Sequence, residues 1–360
     1  MNIGIPKERR TFEFRVGMTP TGVDMLTQAG HTCYVEHEAG LGAGFSDQDY
    51  EKSGARIVFS SEEAFGRADL LLKVARPLAG EIEWLRNGIT IAGLLHLSSA
   101  RQDKIDLLHK NKITAVSYEQ IVTDGGAVPI RKPLSQICGR LIAQISARLL
   151  QNNSGGKGIL LSGIASVPPA EVAIIGAGVV GFNGARAFLG MGAHVTVLDR
   201  DLDALQRVHD AMPSAVTMMA TQRNIAKVCS FADIVVGAIY SAGERPDIII
   251  TRDMVRTMKP RSIIMDISID EGGCVETSRP TTHEHSYFVE EGVIHYCVPN
   301  IPSLVARTST YGFVNAAMPF ILEIAEKGIE AAIRDNSAIE RGVTVHQGEL
   351  AHITRLRINK

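Results

Sequence analysis

The stretch Glu171-Val172-Ala173-Ile174-Ile175-Gly176-Ala177-Gly178-Val179-Val180-Gly181 decides the fold. Its first five residues read as a buried strand, and the three glycines that follow have the GxGxxG spacing of a turn into a helix. Gly176 permits the tight turn, Gly178 lets the backbone approach a pyrophosphate, and Gly181 lets helix and strand pack closely. The pyrophosphate then rests on the positive end of the helix, against Val179 and Val180. The next strand, from His194 to Leu198, ends in Asp199. That acid accepts hydrogen bonds from ribose hydroxyls and repels a 2′-phosphate, which favours NAD over NADP.

The same alternation extends in both directions. Runs rich in Ile, Val and Leu at 2–5, 31–36, 55–59, 69–74, 90–95 and 113–117 read as strands, with helices between them. Helices are expected over 21–28 and 98–110, and Ser60-Ser61-Glu62-Glu63 has capping-box spacing. After Gly125-Gly126 a long helix is expected from Leu134 to about Asn152, and further strands near 171–175, 194–198, 234–240, 262–267 and 293–298. A last helix over 312–332, kinked at Pro319, follows the second series and is expected to return to the first. The fold class is therefore α/β, with two Rossmann-like doubly wound domains and a cleft between them. One domain is expected to comprise 1–129 plus 306–360 and to hold the substrate. The other, 130–305, is expected to bind NAD.

The chain has 360 residues, enough for two domains with their own cores. Lys plus Arg is 37, Asp plus Glu is 39, and the net charge of −2 gives no electrostatic footprint for nucleic acid or an anionic membrane. A small-molecule substrate is the expected partner. Met1–Ile5 does not read as a signal peptide, and no apolar run is long enough to span a bilayer. The five cysteines (Cys33, Cys138, Cys229, Cys274 and Cys297) are scattered without a CxxC pair. They suggest neither a disulfide framework nor a zinc site, and with no metal expected they fit a reducing cytoplasm.

Further segments resemble the alanine dehydrogenase family, which shares its fold with the nicotinamide-binding part of proton-translocating transhydrogenases. The resemblance is carried by Gly4-Ile5-Pro6-Lys7-Glu8, Glu13-Phe14-Arg15-Val16, Leu95-His96-Leu97 and Pro133-Leu134-Ser135. It continues through the glycine motif, Asp266–Gly273, Glu276–Thr282, His295–Pro302 and Arg307–Thr310. It implies that Arg15 holds a substrate carboxylate, that His96 bonds the carbonyl and shuttles protons, and that Asp270 handles the amine or the attacking water. Asn300 matches a residue beside nicotinamide and substrate, Leu134 a pocket residue, and Ser135 one reaching the cofactor phosphates. Arg279, Ile267, Val298 and Ile301 match cofactor-binding positions. The resemblance also implies a homo-oligomer, commonly a hexamer. On residue type alone, Arg15 is a solvated surface residue, His96 a structural histidine and Asp270 a turn former.

One departure bears on activity. The family's catalytic lysine falls at Ala75, and Arg76 stands where the family prefers an acid. Lys73 lies two residues back, on the same face if the strand alternates regularly, and Arg76 on the opposite face unless the strand has ended. Leu134 for a methionine, Gln136 for a glutamate, Ser303-Leu304 and a C-terminus ending at 355–360 are further differences. The expected function is hydride transfer between NAD and the Cα of an amino acid or imine, with a substrate other than alanine. Two alternatives stay open: a true L-alanine dehydrogenase, and an NAD-binding protein that is not a dehydrogenase.

Overall fold

The computed structural model describes residues 1–240 and 245–352. The differences noted at 355–360 lie outside the described residues. The chain divides into two compact units, one of residues 1–134 with 303–360 and one of residues 135–302.

The first unit contains β1 (Asn2–Ile5), β2 (Thr32–Glu36), β3 (Arg56–Val58), β4 (Leu70–Ala75), β5 (Thr90–Leu94) and β6 (Thr114–Ser117). The second contains β7 (Glu171–Ile175), β8 (His194–Asp199), β9 (Val216–Met219), β10 (Ile234–Gly237), β11 (Ile263–Asp266), β12 (Tyr287–Glu290) and β13 (Val293–Tyr296). The chain then adds β14 (Val343–His346) and β15 (Glu349–Leu350) to the first unit. Among the described residues the first sheet has eight strands in the order β15-β14-β6-β5-β4-β1-β2-β3, and the second has seven in the order β12-β13-β11-β10-β7-β8-β9. Each sheet contains six parallel strands in the doubly wound order, and reverses direction at β1/β4 in one and β7/β10 in the other. At such a reversal the connecting segments leave on opposite sides and open a crevice at the strand ends. Helices on both faces explain why Leu70–Val74 is buried without alternation.

Helix Pro20–Gln28 starts with Thr19 capping the Gly22 amide and proline in its first turn, a position where the missing N–H costs nothing. Helix Ala306–Lys327 supplies Phe313, Val314, Ile321 and Ile324 to the cluster that contains Ile3, Ile5, Val35, Leu70 and Leu72. Burying side chains of this size contributes about 1.5–3 kcal/mol each.

Several elements differ from the sequence expectation. Residues 98–110 do not form one helix: a 3-10 turn at Leu97–Ser99 is separated from helix Gln102–Lys110 by extended backbone at Ala100 and Arg101. The long middle helix begins earlier, at Arg131, and ends at Leu149. The last helix is shifted and cut, because Gly328 (φ 79°) separates Ala306–Lys327 from Ile329–Asp335. Ser60 caps the Glu63 amide, but Glu63 pairs with Arg67 instead of closing the box. Strands β9, β12, β14 and β15 had no counterpart in the expected series.

Candidate functional site

In the first unit, carboxylates hold the ends of β4 and β5: Glu8 the end of β4, and Glu119 the residues that follow β5. Glu8 follows β1 and turns its carboxylate onto β4: Oε1 accepts the amides of Val74 (2.6 Å) and Ala75 (3.3 Å). Its other oxygen lies 3.3 Å from the Lys73 ammonium, which also reaches Glu81 Oε1 at 3.2 Å. Lys73 is fully buried, with Nζ 5.7 Å from the centre of the Phe65 ring. Burial pushes the Glu8 carboxyl above its ordinary range, against the opposing pull of Lys73 and the Val74 amide. The register between β4 and β5 shifts between Leu72 and Ala75, so regular alternation does not relate Lys73 to Ala75. β4 ends at Ala75, which frees Arg76 from the strand's alternation.

Arg15 is not solvated. Its side chain is buried and forks onto Glu13, Nε to Oε1 at 2.7 Å and Nη2 to Oε2 at 2.5 Å. A bidentate pair of this kind fixes the guanidinium plane as well as its charge. The loop closes with the Glu13 amide donating to the Arg10 carbonyl at 3.1 Å and with Phe12 in a left-handed conformation.

His96 also has left-handed backbone (φ 44°), uncommon for a residue with a Cβ. Both of its backbone groups are held: the amide donates to Glu119 Oε1 at 2.6 Å, and the carbonyl accepts from Arg76 Nη1 at 2.8 Å. Glu119 Oε2 accepts the Leu95 amide at 3.1 Å. The imidazole is therefore presented to solvent on a backbone fixed from both sides. Leu134 lies in the first unit's core cluster.

The second unit carries the glycine turn, and each glycine has a distinct physical reason. Gly176 sits at φ 108°, and a Cβ there would lie 2.3 Å from the Ala238 carbonyl oxygen at the exit of β10. At Gly181 a Cβ would come within 1.7 Å of the Gly176 carbonyl oxygen. At Gly178 a Cβ would meet open space, so this glycine is not demanded by internal packing. Helix Val179–Gly190 starts at Gly178 without a side-chain cap. Its first amides are available for a phosphate, and the turn therefore fits a dinucleotide.

Asp199 ends β8 and accepts the amides of Ala177 (2.6 Å) and Asp201 (2.9 Å), so it braces the turn. Helix Arg131–Leu149 lies against the same turn, where a Cβ on Gly139 would fall 2.4 Å from the Val180 carbonyl oxygen. Ser135, half-buried, lies one turn before Gly139 on that helix.

A second cluster surrounds the 3-10 turn Ile267–Glu271. Asp266, buried at the end of β11, accepts the amides of Ser268 (3.1 Å), Cys274 (3.1 Å) and Val275 (3.3 Å). Burial raises its carboxyl despite these bonds. Gly272 (φ 110°) and Gly273 (φ 81°) reverse the chain. Asp270 is exposed, and its Oδ1 accepts the Asn300 amide at 3.3 Å, with Asn300 itself left-handed (φ 56°). Val298 and Ile301 flank Asn300 and are buried, while Ile267 is half-buried. Arg279 is placed differently: its guanidinium stacks 3.7 Å over Phe288 and pairs with Glu290 at 3.4 Å.

Glu8, Glu119, Asp266 and Gly139 were not singled out as site residues from sequence: Glu8, Glu119 and Gly139 act through partners that the chain brings in from far away, and Asp266 through backbone amides of the turn that follows it. The five cysteines are free and buried, with burial pushing Cys33 and Cys229 up to about 12 and Cys297 to about 11. Among the described residues there is no cluster of three His, Cys, Asp or Glu side chains able to hold a metal ion, and no helix long and apolar enough to cross a membrane.

Comparison with known proteins covers the whole arrangement. Residues 4–138 match the model of the alanine dehydrogenase/PNT N-terminal domain, and residues 142–353 that of the C-terminal domain. An alanine dehydrogenase of Mycolicibacterium smegmatis is 40% identical over 351 residues, covering 97% of this chain and 94% of the relative. One from Methanococcus maripaludis is 41% identical over 354 residues, covering 98% and 95%. A solved L-alanine dehydrogenase superposes with a TM-score of 0.94 at 35% identity, covering 98% of this chain and 97% of that one. A transhydrogenase structure from Sinorhizobium meliloti shares the fold, with a TM-score of 0.85 at 22% identity, covering 98% and 100%.

Proposed function

Since the chain belongs to the alanine dehydrogenase/PNT family and is an NAD-dependent oxidoreductase of the amino-acid dehydrogenase type, we propose that it interconverts an amino acid other than alanine with its 2-oxo acid. The balanced reaction consumes the amino acid, NAD and water. It yields the 2-oxo acid, ammonium, NADH and a proton. NAD, when bound, accepts the hydride from Cα, and Ser135, the amides after Gly178 and Asp199 would hold it, with Ile267, Arg279, Val298 and Ile301 as further candidate contacts.

This chain's own residues do the rest. Arg15, oriented by Glu13, holds the substrate carboxylate. His96 moves the proton at the substrate's nitrogen and carbonyl oxygen, a task suited to an imidazole because its ring nitrogens can both accept and donate. Asp270 stabilises the developing iminium and orients the attacking water, and Asn300 fixes the substrate beside it. Leu134 contributes apolar surface.

The observation that carries the substrate reading is the burial of Lys73 between Glu8 and Glu81. Ala75 offers no cation, and the lysine nearest to it in sequence is enclosed in an ion-paired interior. Loss of a preorganised charged donor typically costs ~10²–10³ in rate. The test is an amino-acid panel with NAD, run on the intact chain and on Ala75→Lys. L-alanine is expected to be a poor substrate whose kcat/KM rises by about 10² in the variant. An intact chain that prefers L-alanine over every other amino acid overturns the reading and leaves the activity named for its relatives. We further place the protein in the cytoplasm as a homo-oligomer, a hexamer on the family resemblance; the five free thiols support the compartment.

A further inference from the structure

Side chains stitch together the ends of four neighbouring strands of the first sheet. In the order β6-β5-β4-β1 each strand pairs with the next, and each link spans one gap. Glu119, beyond β6, accepts the amides of Leu95 (3.1 Å) and His96 (2.6 Å), beyond β5. Arg76, beyond β4, donates from Nη1 to the His96 carbonyl at 2.8 Å. Arg10, beyond β1, donates from Nη2 to the Arg76 carbonyl at 3.2 Å. The bonds then run on to Arg15. The Glu13 amide donates to the Arg10 carbonyl at 3.1 Å, and both Glu13 carboxylate oxygens accept from the Arg15 guanidinium.

Two residues on this path, Phe12 (φ 62°) and His96 (φ 44°), have left-handed backbone. A residue with a Cβ keeps that conformation where its surroundings over-determine it. Arg10 Nε is buried without a hydrogen-bond partner, which is unfavourable and which a lysine or an apolar side chain would avoid. Stability alone therefore does not account for an arginine at position 10; what it supplies is the bond to the Arg76 carbonyl. An ionised acid, the residue type that the resemblance expects at position 76, has no hydrogen to give the His96 carbonyl. That link is particular to Arg76.

We propose that Arg10 and Arg76 are positioning residues that tie the carboxylate-holding Arg15 to the proton-moving His96, so that substrate is held and protonated in one fixed geometry. Coupling through such a chain of hydrogen bonds is reciprocal, and a break at either link is felt at both ends. The roles of Arg15 and His96 rest on the dehydrogenase reading above, whereas the tie between them rests on the bonds themselves.

Hydrogen exchange read by mass spectrometry on the intact chain, Arg10→Ala and Arg76→Ala tests the tie without any substrate. Arg10→Ala is expected to speed exchange about tenfold at residues 95–97, one link beyond its own contact. Arg76→Ala is expected to do the same at residues 11–15, with residues 135–302 unchanged in both variants. A rise confined to residues 74–78 in Arg10→Ala and to residues 96–99 in Arg76→Ala overturns the proposal.

With the best amino acid of the panel, each variant is expected to lower kcat/KM by about 10²-fold, through both kcat and KM, at unchanged NADH affinity. Loss of folded protein alone would lower kcat and leave KM as it was. Because the links lie in series, the double variant is expected to lose no more than either single one; losses that multiply overturn the proposal. Arg10→Lys keeps one donor for the Arg76 carbonyl and is expected to recover most of the rate. If it is no faster than Arg10→Ala, that bond is not what the arginine supplies and the proposal falls. If no amino acid reduces NAD, the dehydrogenase reading fails and the exchange experiment decides the tie.

Discussion

The two units repeat one strand order and use its crevice in opposite ways. In the first, the reversal at β1/β4 is filled from within: Glu8 leaves β1 and caps the amides of Val74 and Ala75 at the end of β4. In the second, the reversal at β7/β10 is lined by glycine, with Gly176 against the Ala238 carbonyl and open space at Gly178. One crevice is closed by a side chain and the other is left for a ligand's phosphates. Topology supplies the crevice twice, and side-chain chemistry decides which copy takes a dinucleotide.

The buried charges differ in the same sense. The first unit sets two carboxylates, Glu8 and Glu81, on the single ammonium of Lys73. The second sets two ammoniums, Lys157 and Lys259, on the single carboxylate of Asp233, which also accepts the Glu171 amide at the start of β7. Burial raises Glu8. It works in the same direction on Asp233, but there the two lysines and the Glu171 amide win and hold the carboxyl below its usual range.

The largest expected effect comes from breaking the first arrangement. Lys73→Met leaves two buried carboxylates unpaired and is expected to destabilise the chain by about 3–5 kcal/mol in denaturant unfolding. A loss under about 1 kcal/mol would show that the triad is not desolvated as described. Gly181→Ala comes next: its Cβ must displace the Gly176 carbonyl, for a destabilisation of about 1–3 kcal/mol together with loss of NADH binding. Gly178→Ala separates the two roles of the turn, because nothing internal opposes it. The thermal midpoint should hold while NADH affinity falls by about tenfold; equal affinity would place the pyrophosphate elsewhere.

The smallest effect is a slope. Because Asp233 has a lowered folded-state value, its stabilisation is present above the unfolded aspartate range near ~3.9 and is lost as pH falls through the folded value. Asp233→Asn should therefore flatten the fall in calorimetric midpoint as pH drops below about 4.

What the sequence disclosed follows from the kind of constraint involved. The glycine turn was legible because backbone sterics demand glycine at Gly176 and Gly181, whatever surrounds them. Parallel strands were legible as apolar runs, except β9, which is exposed at both ends and lies at the edge of its sheet. The short antiparallel additions β12, β14 and β15 were not, since they are exposed or recruited by register with a distant strand. Arg15 and His96 were visible as residue types in familiar surroundings. Their holders, Glu13 excepted, come from remote positions: Glu119 and Arg76 reach His96 only after folding. The shift between Leu72 and Ala75, which voids a simple same-face argument for Lys73, is written in strand pairing and not in composition.

The discontinuity of the first unit governs the order in which the chain can be completed at the ribosome. Phe313, Ile321, Ile324 and Val343 belong to the same core as Ile3 and Leu70, and β14 pairs with β6. The amino-terminal strands must therefore wait while residues 135–302 are made, a delay on the order of ten seconds at ordinary rates of synthesis. By the end of that interval the glycine-turn unit has all its strands and can close on itself. The nascent chain thus acquires its nucleotide-holding half first, and carries an unfinished apolar sheet until the last helices emerge to cover it.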